Sequence, residues 1–290
     1  MPEAGRAPAL QATVSAAFEL SGVGLHSGAP ARVRVCPAPP DHGRLFLRMD
    51  LEKARIPARS EHVSATLLAT TLSAPRRSAD GSSAASVSTV EHLLAAAYAL
   101  NIDNLLVQVW GPEVPVLDGS AAPWLKQMAA RQQERPARVL EILEPLRVQD
   151  GERWMSLSPA PALELSVEIL FEHPAIAHQA WRGGAADFAE IASARTFGFE
   201  DQVQAMHRAG LALGGSLDNA VVFGKAGPLN ALRFPDEPVR HKALDLFGDL
   251  ALMDCRLQGR VQAHRPGHAM THALLQKLQE TPSAWRMAPE

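Results

Sequence analysis

The chain holds only two cysteines, Cys36 and Cys255, in 290 residues. So few exclude a disulfide framework and fit a reducing cytoplasm. Tyrosine occurs once and aromatic residues make up 5% of the chain, which argues against an aromatic platform for single strands of nucleic acid. No apolar run approaches the roughly 18 residues that a membrane-spanning helix needs. The first residues, MPEAGRAPAL, lack a basic start followed by an apolar core, so no secretory signal is expected. Neither sign of charge dominates. The 28 Lys and Arg against 31 Asp and Glu give a net charge of -3, with no dense basic block, and nucleic acid is not expected as a partner.

What is present is an ordinary globular composition, 47% apolar and 20% charged, sufficient for a sizeable core. The length suits two compact domains or one large one. Ala31–Val35 alternates with period two and reads as a strand with one wet face; Leu45–Met49 reads as its partner. Ser73–Ser88 is rich in Ser, Ala and Arg and reads as a loop. EHLLAAAYAL, after Ser88, reads as a helix stopped by Asn101–Asn104, and Leu105–Val109 as a strand. Pro123–Gln133 reads as a second helix. The polar QQERP at Gln132–Pro136 suggests a boundary, giving domains 1–135 and 136–290. The second half offers strands at Val139–Leu143, Trp154–Leu157, Leu163–Ile169 and Ala220–Phe223. Its helices are expected at Asp201–Arg208, Val239–Met253 and Gly267–Glu280. Each half runs strands first and helices after, which predicts an α+β fold.

Eleven histidines invite a search for metal ligands. In PVRHKALDLFGD, the residues His241, Asp245 and Asp249 are spaced by four and form one stripe of a helix. A His and a carboxylate at that spacing can share one metal ion; on spacing alone a solvated polar face, with Asp near a helix N-terminus, is the more ordinary explanation. In Ser88-Thr89-Val90-Glu91-His92, Ser88 and Glu91 match a capping box, while Glu91 could reach a water at a metal held by His92. His268 follows Gly267 at a helix entrance. In isolation it reads as a solvated turn residue, its pKa lowered by the helix field unless a carboxylate such as Asp249 offsets this. Gly22–Gly28 is glycine-rich but lacks the ending of a phosphate loop, so a turn between strands is expected. Arg195–Phe199 reads as loop packing.

Taken in order, SGVGLHSG, TVEHLLAA, LNIDNLLVQVWGPEVPVLDGSAAPW, ARTFGF, GLALGGSLDNAVV, VRHKALDLFGDL and a late GH resemble the zinc-dependent UDP-3-O-acyl-N-acetylglucosamine deacetylases of lipid A biosynthesis. The resemblance runs from about Ser21 to Leu278. It implies two similar domains, each a β-sheet with two α-helices packed on it, with the active site between them. It implies one Zn2+ per chain on His92, His241 and Asp245, Glu91 as general base, and His268 as general acid oriented by Asp249. Thr196 and Lys242 match residues lining the site, the threonine near the developing oxyanion. Phe171 matches an aromatic that stacks on uracil, and Phe197 and Phe199 match the acyl-site region. An insert at about 197–223 matches a passage for the fatty acyl chain, with Leu211, Gly215 and Ser216 among its substrate-binding residues. Leu170, Pro238, Thr271 and the shortened Arg233 segment depart from the family pattern but remove neither a ligand nor the acid/base pair that the resemblance implies.

That chemistry needs these residue types. Three protein ligands leave zinc an open position. A carboxylate can take a proton from water, and a cationic imidazole can stabilise an oxyanion and protonate a leaving amine. The implied partner is an acylated UDP-N-acetylglucosamine, in the cytoplasm, with membrane proximity only through the acyl chain. Two rivals share the motifs: a non-catalytic paralogue that keeps the metal, and a deacetylase of a related acylated amino sugar. Glu91 and His268 favour an enzyme, since a scaffold needs neither.

Overall fold

The computed structural model of the chain describes residues 9–75 and 84–288. Its framework is two five-stranded sheets. Phe18–Val23 (β1), Pro30–Pro37 (β2), Arg44–Arg48 (β3), Ala54–Pro57 (β4) and Leu105–Trp110 (β5) form the first, in the order β1-β2-β5-β3-β4. Leu146–Asp150 (β6), Arg153–Ser158 (β7), Glu164–Leu170 (β8), His178–Gly183 (β9) and Arg260–His264 (β10) form the second, in the order β6-β7-β10-β8-β9. Across each sheet the pairings run antiparallel, antiparallel, parallel, antiparallel. The halves therefore repeat one topology, although no sequence repeat announces it.

A parallel pair needs a long crossover, usually helical. Between β3 and β5 lies the helix α1 (Glu91–Ala99); between β8 and β10 lie α3 (Glu200–Arg208) and α4 (Glu237–Leu250). After the central strand of each sheet comes a trailing helix, α2 (Ala122–Gln127) in the first half and α5 (His268–Glu280) in the second. The fold is α+β, as expected.

Period-two patterning sets the faces. In β2, Ala31, Val33 and Val35 are buried while Arg32 and Arg34 face out. In β8, Leu165, Val167 and Ile169 are buried in the same manner. Helix α1 is different: every residue from Glu91 to Tyr98 is buried, as expected of a helix that is apolar nearly all round. It fits because α4 crosses it at backbone distance. A Cβ placed on Gly248 would lie 2.1 Å from the Glu91 carbonyl oxygen. Arg44 closes the far end, donating from Nε to the Ile102 carbonyl at 2.9 Å and from Nη1 to the Ala251 carbonyl at 2.9 Å. One cation thus serves the chain just beyond both crossover helices, where helix dipoles favour positive charge.

Three expectations are corrected. Leu45–Met49 does not pair with Ala31–Val35, because β5 lies between β2 and β3; its alternate residues Leu105, Val107 and Val109 are buried. Helix α2 stops at Gln127, and Ala130–Pro136 is a strand antiparallel to Leu10–Val14. Residues 130–136 are mostly exposed and offer no apolar stripe to hold a helix on the core. Ser73–Ser88 is not wholly loop: Ser86–Val87 pairs with Thr71–Ser73, and residues 76–83 lie outside the described segments. The C-terminal helices match expectation closely, with a 3-10 turn, Ala251–Met253, finishing α4.

Gly248→Ala should destabilise the protein by about 1–3 kcal/mol, because the added methyl has only backbone to displace. This outweighs the ~1 kcal/mol that alanine gains over glycine in a helix. Urea unfolding of the two proteins measures the difference; a variant as stable as the parent would refute the backbone contact.

Candidate active site

The two crossover helices carry the candidate residues to one place. Glu91 and His92 open α1, and His241, Asp245 and Asp249 lie along α4. All five are buried, which removes the reading of the α4 stripe as a solvated face. His92, His241 and Asp245 each offer one ligand atom, and these atoms lie within 4.8 Å of one another. Asp245 Oδ1 is 3.3 Å from His241 Nε2 and 3.6 Å from His92 Nε2.

The surroundings commit the other atoms. His241 Nδ1 is 3.0 Å from the Ala194 carbonyl, which can only accept, so Nδ1 carries the proton and Nε2 keeps its lone pair. Lys242 Nζ donates to Asp245 Oδ2 at 2.9 Å, leaving Oδ1 facing the imidazoles. Burial lowers the His241 pKa to about 4, only partly opposed by Asp245, so the ring is neutral near pH 7. Burial would raise Asp245, but His241 and Lys242 hold it well below the usual carboxylate range. Two imidazole nitrogens and one carboxylate oxygen suit zinc, and the second partners of His241 and Asp245 orient them as outer-shell groups do.

Two further groups border this triangle. Burial raises the Glu91 pKa against the opposing pull of His268 and His92. Its Oε2 accepts from the Thr70 amide at 3.1 Å. The expected capping box is absent: the residue before α1 is Val90, with no side-chain cap, and the Ser88 hydroxyl instead pairs with that of Thr71 at 2.8 Å. The reason is backbone. Thr89 sits at φ 58°, which turns Ser88 away from the helix. His268 is not a solvated turn residue; it is buried as the first residue of α5. Its Nδ1 lies 2.8 Å from Asp249 Oδ2. Burial opposes its charge, but Asp249, with Asp245 and Glu91, overrides this and raises its pKa to about 9.

Thr70 was not among the expected residues, yet it joins the whole group. Besides its amide bond to Glu91, its hydroxyl donates to Asp249 Oδ1 at 2.7 Å and lies 3.2 Å from His268 Nδ1. The buried pair Arg195–Glu237 was missed as well. Arg195 Nε donates to Glu237 at 2.9 Å, and the Arg195 and Arg233 amides donate to the same carboxylate. The pair clamps the segment holding Ala194 to the start of α4. The capping appearance of Glu91 and the loop appearance of ARTFGF hid both from sequence reasoning.

The remaining candidates divide. Phe171, Phe197 and Phe199 form one cluster, with ring centroids 5.6 Å and 5.7 Å from Phe171, and Phe197 lies 6.4 Å from the His241 ring. Phe171, Phe199 and Lys242 line a cleft of about 610 Å³ together with Arg153 and Arg265. Thr196 donates its amide to the Gly119 carbonyl at 2.9 Å, two residues from Ala194. Leu211, Gly215 and Ser216 do not line that cleft; they belong to the chain between α3 and Val221–Gly224. Gly22–Gly28 is a turn at the end of β1, as expected, and that chain packs on it.

Two histidines and an aspartate from two crossover helices, with a buried glutamate and a His–Asp pair beside them, have the make-up of a metal-dependent hydrolase site. The sequence model of the UDP-3-O-acyl N-acetylglycosamine deacetylase family matches residues 11–280. The UDP-3-O-acyl-N-acetylglucosamine deacetylase of Myxococcus xanthus is 45% identical over 288 residues, covering 96% of this chain and 89% of the relative. Those of an Anaeromyxobacter strain and of Thermosynechococcus vestitus are 42% and 46% identical. They cover 96% and 89% of this chain, and 91% and 90% of the relatives. The chain belongs to this deacetylase family.

The Glu237 pKa lies below its ordinary 4.5: burial would raise it, but the bonds from Arg195 and Arg233 prevail. A depressed carboxylate stabilises the fold fully above pH 4.5 and loses that contribution as pH falls through its folded value. Glu237→Gln should cost about 3–5 kcal/mol near neutrality by leaving the Arg195 charge unpaired, and should flatten the acid limb of stability. Urea unfolding across a pH series tests this; parallel pH curves for parent and variant would contradict it.

Proposed function

We propose that the chain hydrolyses the N-acetyl group of a UDP-3-O-acyl-N-acetylglucosamine. The products are acetate and the free-amine sugar nucleotide of lipid A biosynthesis, with one zinc ion held by His92, His241 and Asp245. The observation that carries this reading is the convergence of those three donors beside Glu91 and the His268–Asp249 pair. Bound there, zinc supplies Lewis acidity, lowering the pKa of a water and polarising an amide carbonyl.

The protein groups do the proton work. Glu91, made more basic by burial, takes a proton from the attacking water as the new C–O bond forms. The positive His268 faces the charge that develops on the carbonyl oxygen, with Thr196 near the same oxygen. As the C–N bond breaks, His268 Nε2 gives its proton to the nitrogen, which leaves as an amine and not as an amide anion. Asp249 keeps the Nδ1 proton in place and Thr70 holds Asp249. Lys242 fixes the Asp245 ligand oxygen by binding its neighbour.

The rest of the substrate has matching surfaces. The cleft of Phe171, Arg153, Arg265 and Lys242 combines an aromatic face for uracil with cations for a diphosphate. Helix α3 buries none of its residues, and Leu213 and Leu217 beyond it are exposed. With Met206 and Leu211 they offer apolar surface to an acyl chain, to which each buried methylene adds up to about 0.8 kcal/mol. Among the described residues no helix is long and apolar enough to cross a membrane. A nucleotide-sugar substrate and two free thiols fit the cytoplasm; any approach to a membrane comes through the acyl chain.

Acetate release from the acylated sugar nucleotide, with metal analysis of protein purified without chelator, tests the reading. One zinc per chain and turnover support it; a scaffold would show metal without turnover. Glu91→Gln should retain zinc and fold, because glutamine can still accept from the Thr70 amide. Its kcat should fall about 10²–10⁴-fold, since an amide cannot take the proton. Near-parental kcat with full zinc would remove Glu91 from the mechanism.

A further inference from the structure

Glu113 is a buried carboxylate that the chemistry above does not use. Both of its oxygens are engaged. Oε1 accepts from the His26 amide at 3.0 Å and the Thr89 hydroxyl at 2.6 Å. Oε2 accepts from the Ser27 amide at 2.9 Å and the Ser27 hydroxyl at 2.7 Å. Thr89 is the β-branched residue at positive φ just before α1, a conformation that needs outside support. Glu113 thus grips the Gly24–Gly28 turn on one side and the entry to the catalytic helix on the other.

That turn in turn carries the insert. The Leu213 amide donates to the His26 carbonyl at 3.1 Å and the Gly214 amide to the Leu25 carbonyl at 3.0 Å. The Ala212 amide approaches His26 Nδ1 at 3.4 Å. The approach demands glycine in the insert, and Glu113 presses equally close on the other flank of the turn. A Cβ on Gly214 would stand 2.2 Å from the Gly24 carbonyl, and one on Gly24 would stand 2.2 Å from Glu113 Oε2. The insert itself buries no residue of α3, so its position depends on such docking more than on core packing.

We propose that Glu113 is a positioning residue for acyl-chain recognition: through the Gly24–Gly28 turn it fixes the Ala212–Gly214 part of the insert relative to Glu91 and His92. The proposal rests on the reading of the insert as the acyl passage. Glutamine at this position brings a single acceptor oxygen. In either orientation its NH₂ faces a backbone amide that has nothing to donate to, and a buried donor without an acceptor is costly.

The test is steady-state kinetics of the zinc-loaded, full-length protein. The substrates are UDP-N-acetylglucosamine and its 3-O-acyl derivatives of rising chain length. The readout is the ratio of kcat/KM for acylated over unacylated substrate within each protein, so that a general loss of activity cancels. Glu113→Gln should lower that ratio by about tenfold or more, mainly through KM of the acylated substrates, and flatten its rise with chain length. Ser27→Ala removes one of the four bonds and keeps the rest; it should lower the ratio in the same direction by about threefold, and it stands in if the glutamine variant does not fold. Equal losses on both substrates, or an unchanged ratio in a folded variant, overturn the anchor while leaving the passage intact. A parent that handles both substrates equally overturns the passage reading and the anchor with it.

Discussion

The contact on which everything else depends is the crossing of α1 and α4 at Gly248, where no side chain separates the helices. Each helix is the crossover of its own sheet, so their contact joins the two halves at the two segments that carry chemistry. Had the residue at 248 a side chain, its Cβ would lie 2.1 Å from the Glu91 carbonyl oxygen, and the helices would have to move apart, shifting Glu91 and His92 from their place beside His241 and Asp245. The site is a product of backbone proximity first and of side-chain chemistry second.

Burial is the second constraint. Six ionisable groups of the site are buried together, and each would be costly alone. They are tolerated because neighbours donate to their carboxylates: Lys242 to Asp245, His268 to Asp249, and Thr70 to both Asp249 and Glu91. The same low-dielectric surroundings spread the pKa values in opposite directions, a neutral His241 beside a positive His268. One residue type is thereby neutral at one position and cationic at another, which is how environments separate like groups.

Much of this was legible in the sequence. The spacing of His241 and Asp245 gave a shared helical face, the alternation in β2 and β8 gave strands, and the ordered motifs gave the family. What was hidden has physical causes. Glu91 carries a capping-box signature because the residue types suit a cap; only the positive φ of Thr89, a backbone property, cancels it. Thr70 matters through an amide and a hydroxyl that any threonine possesses, and nothing in its neighbourhood marks it. The pairing of β5 between β2 and β3 joins residues far apart in the chain, and local periodicity cannot say which strands become neighbours. The polar Ala130–Pro136 is a strand for want of an apolar face, and a helix reading survives there only while its exposure is unknown.

The repeated topology also shapes how the molecule comes into being. Every strand of the first sheet lies before residue 111, and every strand of the second after residue 145, so the first sheet can close while the ribosome is still making the second. Helix α1, however, is apolar nearly all round and needs α4, which is not translated until residues 237–250. During that interval the side of α1 that packs on α4 stays exposed, apolar surface of the kind that invites aggregation. The arrangement that completes the site only when both halves are present also leaves the α4-facing side of α1 bare until the second half is made.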